Sequence, residues 1–128
     1  MLYYEVYPVP IKQAKGSKFK ADQLCRQILL AQHDQCGRCG ASDRHAQLQV
    51  SHIISRRYSA TRTDLSNLQI LCARCHIYLT AWPREFSHWI TQSIGSEEYD
   101  RLKLKAEAVT KVNWDDELDR LRTLYAKL

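Results

Sequence analysis

Residues 36–76 read CGRCGASDRHAQLQVSHIISRRYSATRTDLSNLQILCARCH, and this stretch decides the fold. It opens on the pair Cys36-x2-Cys39 and closes on the pair Cys72-x2-Cys75. Two sulfurs presented from one tight turn, met by two from another, complete the four-thiolate tetrahedron that holds zinc at Zn–S distances of about 2.3 Å. Four thiolates leave no open coordination position. The spacing therefore predicts a structural Zn²⁺ on Cys36, Cys39, Cys72 and Cys75, with the intervening 32 residues forming a loop clipped at its base. Gly37 and Gly40 let the backbone turn so that its amides face the sulfurs.

A second pattern is interlocked with the first: His52-x14-Asn67-x8-His76, whose last His directly follows the last Cys. Cleavage of a phosphodiester needs a nucleophilic water, a base to deprotonate it, and a cation for the charge on phosphate and leaving oxygen. A neutral imidazole, with an ordinary pKa of about 6.5, suits the base role near neutral pH. A second imidazole on a helix suits a divalent metal, and an Asn amide can bridge backbone groups and brace a loop. His33, His45 and His88 lack such a context and read as surface or packing residues.

Working outward, Leu48 and Val50 alternate with Gln47, Gln49 and Ser51, which predicts a short strand ending at His52. Residues 55–66 are polar and read as an exposed loop, and Leu68–Leu71 supplies a returning strand. A helix beginning inside the second Cys pair places His76 in its first turns. Upstream, Leu24, Ile28 and Ala31 recur at helical spacing over Ala21 to about Gln32, preceded by an extended basic arm at residues 1–20. Downstream, Pro83 starts a helix carrying Phe86, Trp89, Ile90 and Ile94 and ended by Gly95. Ser96 is expected to cap the next, with Tyr99, Leu102, Ala106 and Val109 on one face, and Asn113 the last, with Leu118, Leu121, Leu124 and Leu128. The expected architecture is α+β: a small zinc-stapled core at about residues 36–80 within a mostly helical single domain, 21–128, whose C-terminal helices occupy about 84–128. Trp82, Trp89 and Trp114 are expected in the core.

At 128 residues the chain suits one compact domain. Four of the five cysteines fall in CxxC pairs, which fits an intracellular zinc site better than a disulfide framework; Cys25, in an apolar stretch, reads as a buried structural thiol. No signal-peptide pattern and no membrane-length apolar run is present, so a cytoplasmic protein without a membrane partner is expected. The net charge of +5 is unevenly spread. Arg56, Arg57 and Arg62 follow His52, and Lys12, Lys15, Lys18 and Lys20 crowd the N-terminal arm. Acidic residues gather toward the C-terminus, at Glu97, Glu98, Asp100 and from Asp115 to Asp119. Positive charge beside the candidate base lies as phosphate binding would require, with Arg56, Arg57 and Arg62 as the candidate nucleic-acid-binding residues.

His52, Asn67 and His76, with one CxxC before and another overlapping the end, resemble the HNH (ββα-metal) endonuclease family over about Cys36 to Thr80, roughly a third of the chain. That resemblance implies a ββα-metal core in which His52 is the general base, Asn67 braces the loop and His76 binds a catalytic Mg²⁺ or Mn²⁺. It implies DNA hydrolysis, one strand per active site. Cleavage of both strands or of a junction would then imply a dimer or sequential nicking, and a homodimer or a larger recombination complex is the partner expected. Ser55-Arg56-Arg57-Tyr58-x-Ala60-Thr61-Arg62-x-Asp64 further resembles the lambdoid-phage recombination endonucleases NinG and Rap, which implies branched or nicked DNA and, for a phage-encoded chain, the host cytoplasm.

One position departs from the family. An Asp or His usually precedes the base as a second metal ligand; here it is Ser51, and a neutral hydroxyl is a poor ligand for Mg²⁺ or Mn²⁺. Three readings follow: a metal held by His76, waters and substrate phosphate; a substitute acid such as Asp64 or Asp43; or impaired catalysis. The last leads to an alternative function, a zinc module that binds DNA or a protein partner without cutting.

Overall fold

The computed structural model describes residues 16–42, 47–108 and 111–128. Most of the expected N-terminal arm, with Lys12 and Lys15, lies outside them, as do Asp43, His45 and Val109. Helix α1 (Ser17–Gln32) starts earlier than the apolar period suggested. Tertiary contact carries it back: Ser17 donates to Asp115, and the Lys18 ammonium sits 5.6 Å from the Trp114 ring centroid. Its buried stripe is Ala21, Leu24, Cys25, Ile28 and Leu29, while Ala31 is exposed.

The first Cys pair is a tight turn in which Gly40 donates to Cys36 O (2.9 Å) and Cys36 N to Ala41 O (2.8 Å). Gly40 has φ +78°, the left-handed conformation that glycine adopts without a Cβ clash. The Gly37 amide donates to Ile70 O at 2.7 Å, tying this turn to the sheet.

Strands β1 (Leu48–His52) and β2 (Leu68–Cys72) form a two-stranded antiparallel sheet. Its register places Leu48 opposite Cys72 and His52 opposite Leu68. One end of the sheet thus abuts the cysteines and the other carries His52. Between the strands the polar loop contains a short helix, α2 (Ser59–Arg62), and a 3₁₀ turn at Leu65–Asn67 capped by the Asp64 side chain.

Cys72 closes β2 and opens α3 (Ala73–Ala81), its sulfur accepting the Cys75 amide. Pro83 occupies the first turn of α4 (Pro83–Ile94), where its missing N–H costs nothing. Gly95, at φ +87°, separates α4 from α5 (Ser96–Glu107) and takes the N-cap position expected for Ser96. Asn113 caps α6 (Trp114–Ala126), accepting the Asp116 amide at 3.1 Å.

α1, the sheet, α3 and α6 share one apolar cluster centred on Ile28, Leu48, Leu71, Leu79 and Leu121. Ile53, Ile90 and Leu102 form a second, linking the loop after β1 to α4 and α5. Trp89 and Trp114 pack at the cluster edges. Trp82 is 59% exposed, because the α3–α4 junction leaves it facing outward, and Leu128 lies beyond α6 in solvent. No helix among the described residues is long and apolar enough to cross a membrane. The result is a mostly helical α+β chain built on a two-stranded sheet and a four-cysteine site.

Candidate functional site

The sulfurs of Cys36, Cys39, Cys72 and Cys75 all lie within 4.8 Å of one another. Cys39 Sγ and Cys72 Sγ are 3.7 Å apart, close to the roughly 3.8 Å edge of a tetrahedron with 2.3 Å Zn–S bonds. Backbone amides of Arg38 and Cys39 point at Cys36 Sγ (3.4 and 3.5 Å), and Arg38 Nη1 at Cys75 Sγ (3.4 Å). Burial opposes ionisation of Cys36, but hydrogen bonds from the backbone of Cys39, Cys72 and Arg38 outweigh it and bring its thiol down to about 6. The donor set, its spacing and its charge-stabilising amides fit a metal such as Zn²⁺, and Cys36, Cys39, Cys72 and Cys75 would hold it.

At the far end of the sheet, His52 Nε2 lies 3.1 Å from Arg62 O. A carbonyl only accepts, so Nε2 carries the proton and the neutral ring keeps its lone pair on Nδ1. Half-burial holds the His52 pKa below the usual imidazole range, against the pull of the Arg62 carbonyl and Asp22. The loop that aims this carbonyl is fixed by Asn67, which is fully buried. Its Oδ1 accepts Ile54 N at 2.7 Å, and its Nδ2 donates to Ile54 O (3.1 Å) and Thr61 O (3.0 Å). Asn67→Ala would remove the partner of three backbone groups, the buried Thr61 carbonyl and the part-buried Ile54 amide and carbonyl, at about 1 kcal/mol each. We expect a fall in Tm of roughly 10 °C in a thermal melt; a shift within 2 °C would show that the amide is not the brace.

His76, in the first turn of α3, presents the complementary arrangement. Its Nδ1 donates to Gln49 Oε1 at 2.8 Å, leaving the Nε2 lone pair free, as a metal ligand requires. His52 and His76 line one cleft of about 550 Å³, together with Val50, Thr80 and Arg56. Ser51 is only 4% exposed and does not line it. Asp64, one candidate substitute acid, is engaged elsewhere: it caps the 3₁₀ turn and pairs with Lys105 at 2.7 Å, which together hold its carboxyl below the usual carboxylate range despite half-burial.

Helix α1 supplies the remaining wall. Asp22, Cys25 and Arg26 line the cleft, and none was singled out for this site from the sequence. Asp22 takes Arg62 in a forked pair (Nε to Oδ1 3.0 Å, Nη2 to Oδ2 2.6 Å), while Arg62 Nη1 donates to Arg56 O at 3.2 Å. Arg62 is therefore a strut of the loop. Arg56 faces the cleft with its guanidinium unpaired among the described residues, and Arg57 is exposed beside the Tyr58 ring, 5.3 Å from its centroid, outside the cleft. Cys25 is 2% exposed, and burial pushes its thiol up to about 12, which suits an inert packing residue. Gln49 and Asp22 act through other side chains at sequence separations of 27 and 40, where no periodicity or spacing marks them.

A hairpin that carries a half-buried His at one end, followed by a helix that brings a second His to the same cleft, is consistent with a small α+β HNH core. The family model described as HNH endonuclease matches residues 36–81, which span the cysteine cluster, the sheet and α3. No curated protein and no solved structure matches the chain.

Proposed function

We propose that this chain is a metal-dependent endonuclease that hydrolyses DNA phosphodiester bonds. The observation that carries the reading is that His52 Nδ1 and His76 Nε2 are both left unprotonated by their partners, and both rings line one cleft. His52 takes the proton of the attacking water at Nδ1, and its Nε2–H to Arg62 O steadies the ring as it becomes positive. His76 would hold Mg²⁺ or Mn²⁺ through Nε2 with water and phosphate oxygens, since Ser51 is turned away; when bound, that ion offsets charge on the phosphate and the departing oxygen. Arg56 meets the flanking phosphate from the loop, and Arg57 the duplex further out.

Metal-dependent nicking of supercoiled plasmid, abolished by EDTA, tests the reading. A second reading, a module that binds DNA without cutting, is favoured by one observation: among the described residues only the four cysteines bring three or more metal-ligating groups together. It predicts salt-sensitive DNA binding with no nicking in either Mg²⁺ or Mn²⁺. The finer proposal of branched or nicked DNA as substrate rests on the resemblance of Ser55–Asp64 to the NinG and Rap group, and a four-way junction assayed beside a matched duplex tests it.

The pH dependence follows from the direction of the His52 shift. Burial favours the neutral ring, so the base stays competent below its ordinary pKa of about 6.5. Single-turnover nicking at fixed metal should therefore hold its plateau from neutral pH down past 6.5 and fall only below. An acid limb at or above 6.5 would count against His52 as the base.

A further inference from the structure

The matched family segment ends at residues 36 and 81, yet one wall of the cleft comes from α1, outside it. Asp22 and Arg26 are four residues apart and so lie on one face of that helix, where an Asp–Arg pair at this spacing ordinarily forms. Here both Asp22 oxygens are taken by Arg62. Arg26 is left exposed, lining the same cleft as His52 and His76, with no hydrogen bond or ion pair among the described residues. The folded chain thus exchanges one cation for another. Arg62, one of the three arginines that follow His52 in sequence, becomes a strut with its side chain 13% exposed, and Arg26 is left, among the described residues, as the unpaired guanidinium of the α1 wall.

We propose that Arg26 is the phosphate-contacting arginine of the α1 wall, donating through its guanidinium to a non-bridging oxygen of the phosphodiester held between His52 and His76. The proposal rests on the nuclease reading for the identity of that phosphodiester. A planar fork that is unpaired before substrate arrives meets phosphate without first giving up a partner, and such a donor gains strength as negative charge builds on the oxygens during displacement. Arg62 cannot serve in this way without abandoning Asp22 and releasing the carbonyl that orients His52.

The test compares wild type with Arg26→Gln, Arg26→Lys, Arg62→Gln and, as a charge control, Arg122→Gln, whose side chain is 60% exposed and outside the cleft. The measurements are DNA binding across a salt series and single-turnover nicking at saturating DNA. For Arg26→Gln we expect the salt slope to fall by about 0.9, one phosphate contact, and the nicking rate by about 100-fold. Zinc content and the thermal melt should be unchanged, since Arg26 makes no bond within the described fold. Arg26→Lys should restore the slope but only part of the rate, because an ammonium lacks the fork. Arg62→Gln should lower the melt and slow nicking while leaving the slope within the spread of the control. If Arg26→Gln matches the control in slope and rate while wild type cuts, this proposal fails and the nuclease reading stands. If wild type binds without cutting, the slope alone decides the assignment of Arg26. If wild type does not bind DNA, both are overturned.

Discussion

Replacing Cys72 by serine should leave a chain that neither retains zinc nor melts cooperatively. Cys72 is the last residue of β2, the N-cap of α3 and a member of the four-sulfur cluster, and it is 4% exposed. Serine caps helices well, so the substitution spares the cap and removes the ligand. Ligation of a structural zinc is worth about 10 kcal/mol or more, comparable to the whole stability of a domain this size, typically about 5–15 kcal/mol. We therefore expect loss of stoichiometric zinc on elemental analysis and loss of the cooperative transition by circular dichroism. A strong chelator should produce the same loss in wild type. A variant with a wild-type melt would show that apolar packing alone holds the sheet to α3.

His52→Ala should lower nicking by about 1,000-fold, the middle of the range for a positioned general base, with zinc content unchanged. The fold should survive, because the ring is half-buried and makes one hydrogen bond among the described residues. Its neighbours Ile53, next in the chain, and Leu68, opposite it in the sheet, keep their places in the two apolar clusters. The comparison is made on supercoiled plasmid and on a four-way junction with Mg²⁺ or Mn²⁺. Cutting retained by the variant would remove His52 from the mechanism. His76→Ala should differ in kind, raising the metal concentration needed for half-maximal nicking as well as lowering the rate.

The parts of this molecule written locally were legible. CxxC spacing announces a tight turn with two sulfurs, and the four sulfurs do meet. Alternation over Leu48–Val50 gave β1 and its end at His52, and Pro83, Gly95 and Asn113 marked helix boundaries because their backbone or capping chemistry acts within a few residues. Boundaries set by distant contact were not legible. α1 starts at Ser17 through residues of α6, while Gly16 provides no side-chain cap. The three arginines near His52 looked equivalent in sequence. Tertiary packing separates them, committing Arg62 to Asp22 and leaving Arg56 facing the cleft. Asp64 looked available for a metal until Lys105, 41 residues away, claimed it.

The tie between Thr63 and α6 fastens the loop that holds His52 to a distant part of the chain. Thr63 follows the residue whose carbonyl holds His52; its hydroxyl donates to Glu117 and its carbonyl accepts Arg120 at 3.3 Å. The two cysteine turns can close on a metal within a single stretch of some forty residues. The setting of His52 draws in addition on Asp22, 40 positions before Arg62, and on α6, whose Glu117 lies 54 positions beyond Thr63. On the proposed nuclease reading, the imidazole would be set only where α1, the loop and α6 have all met, whereas the cysteine site draws on one stretch of the chain.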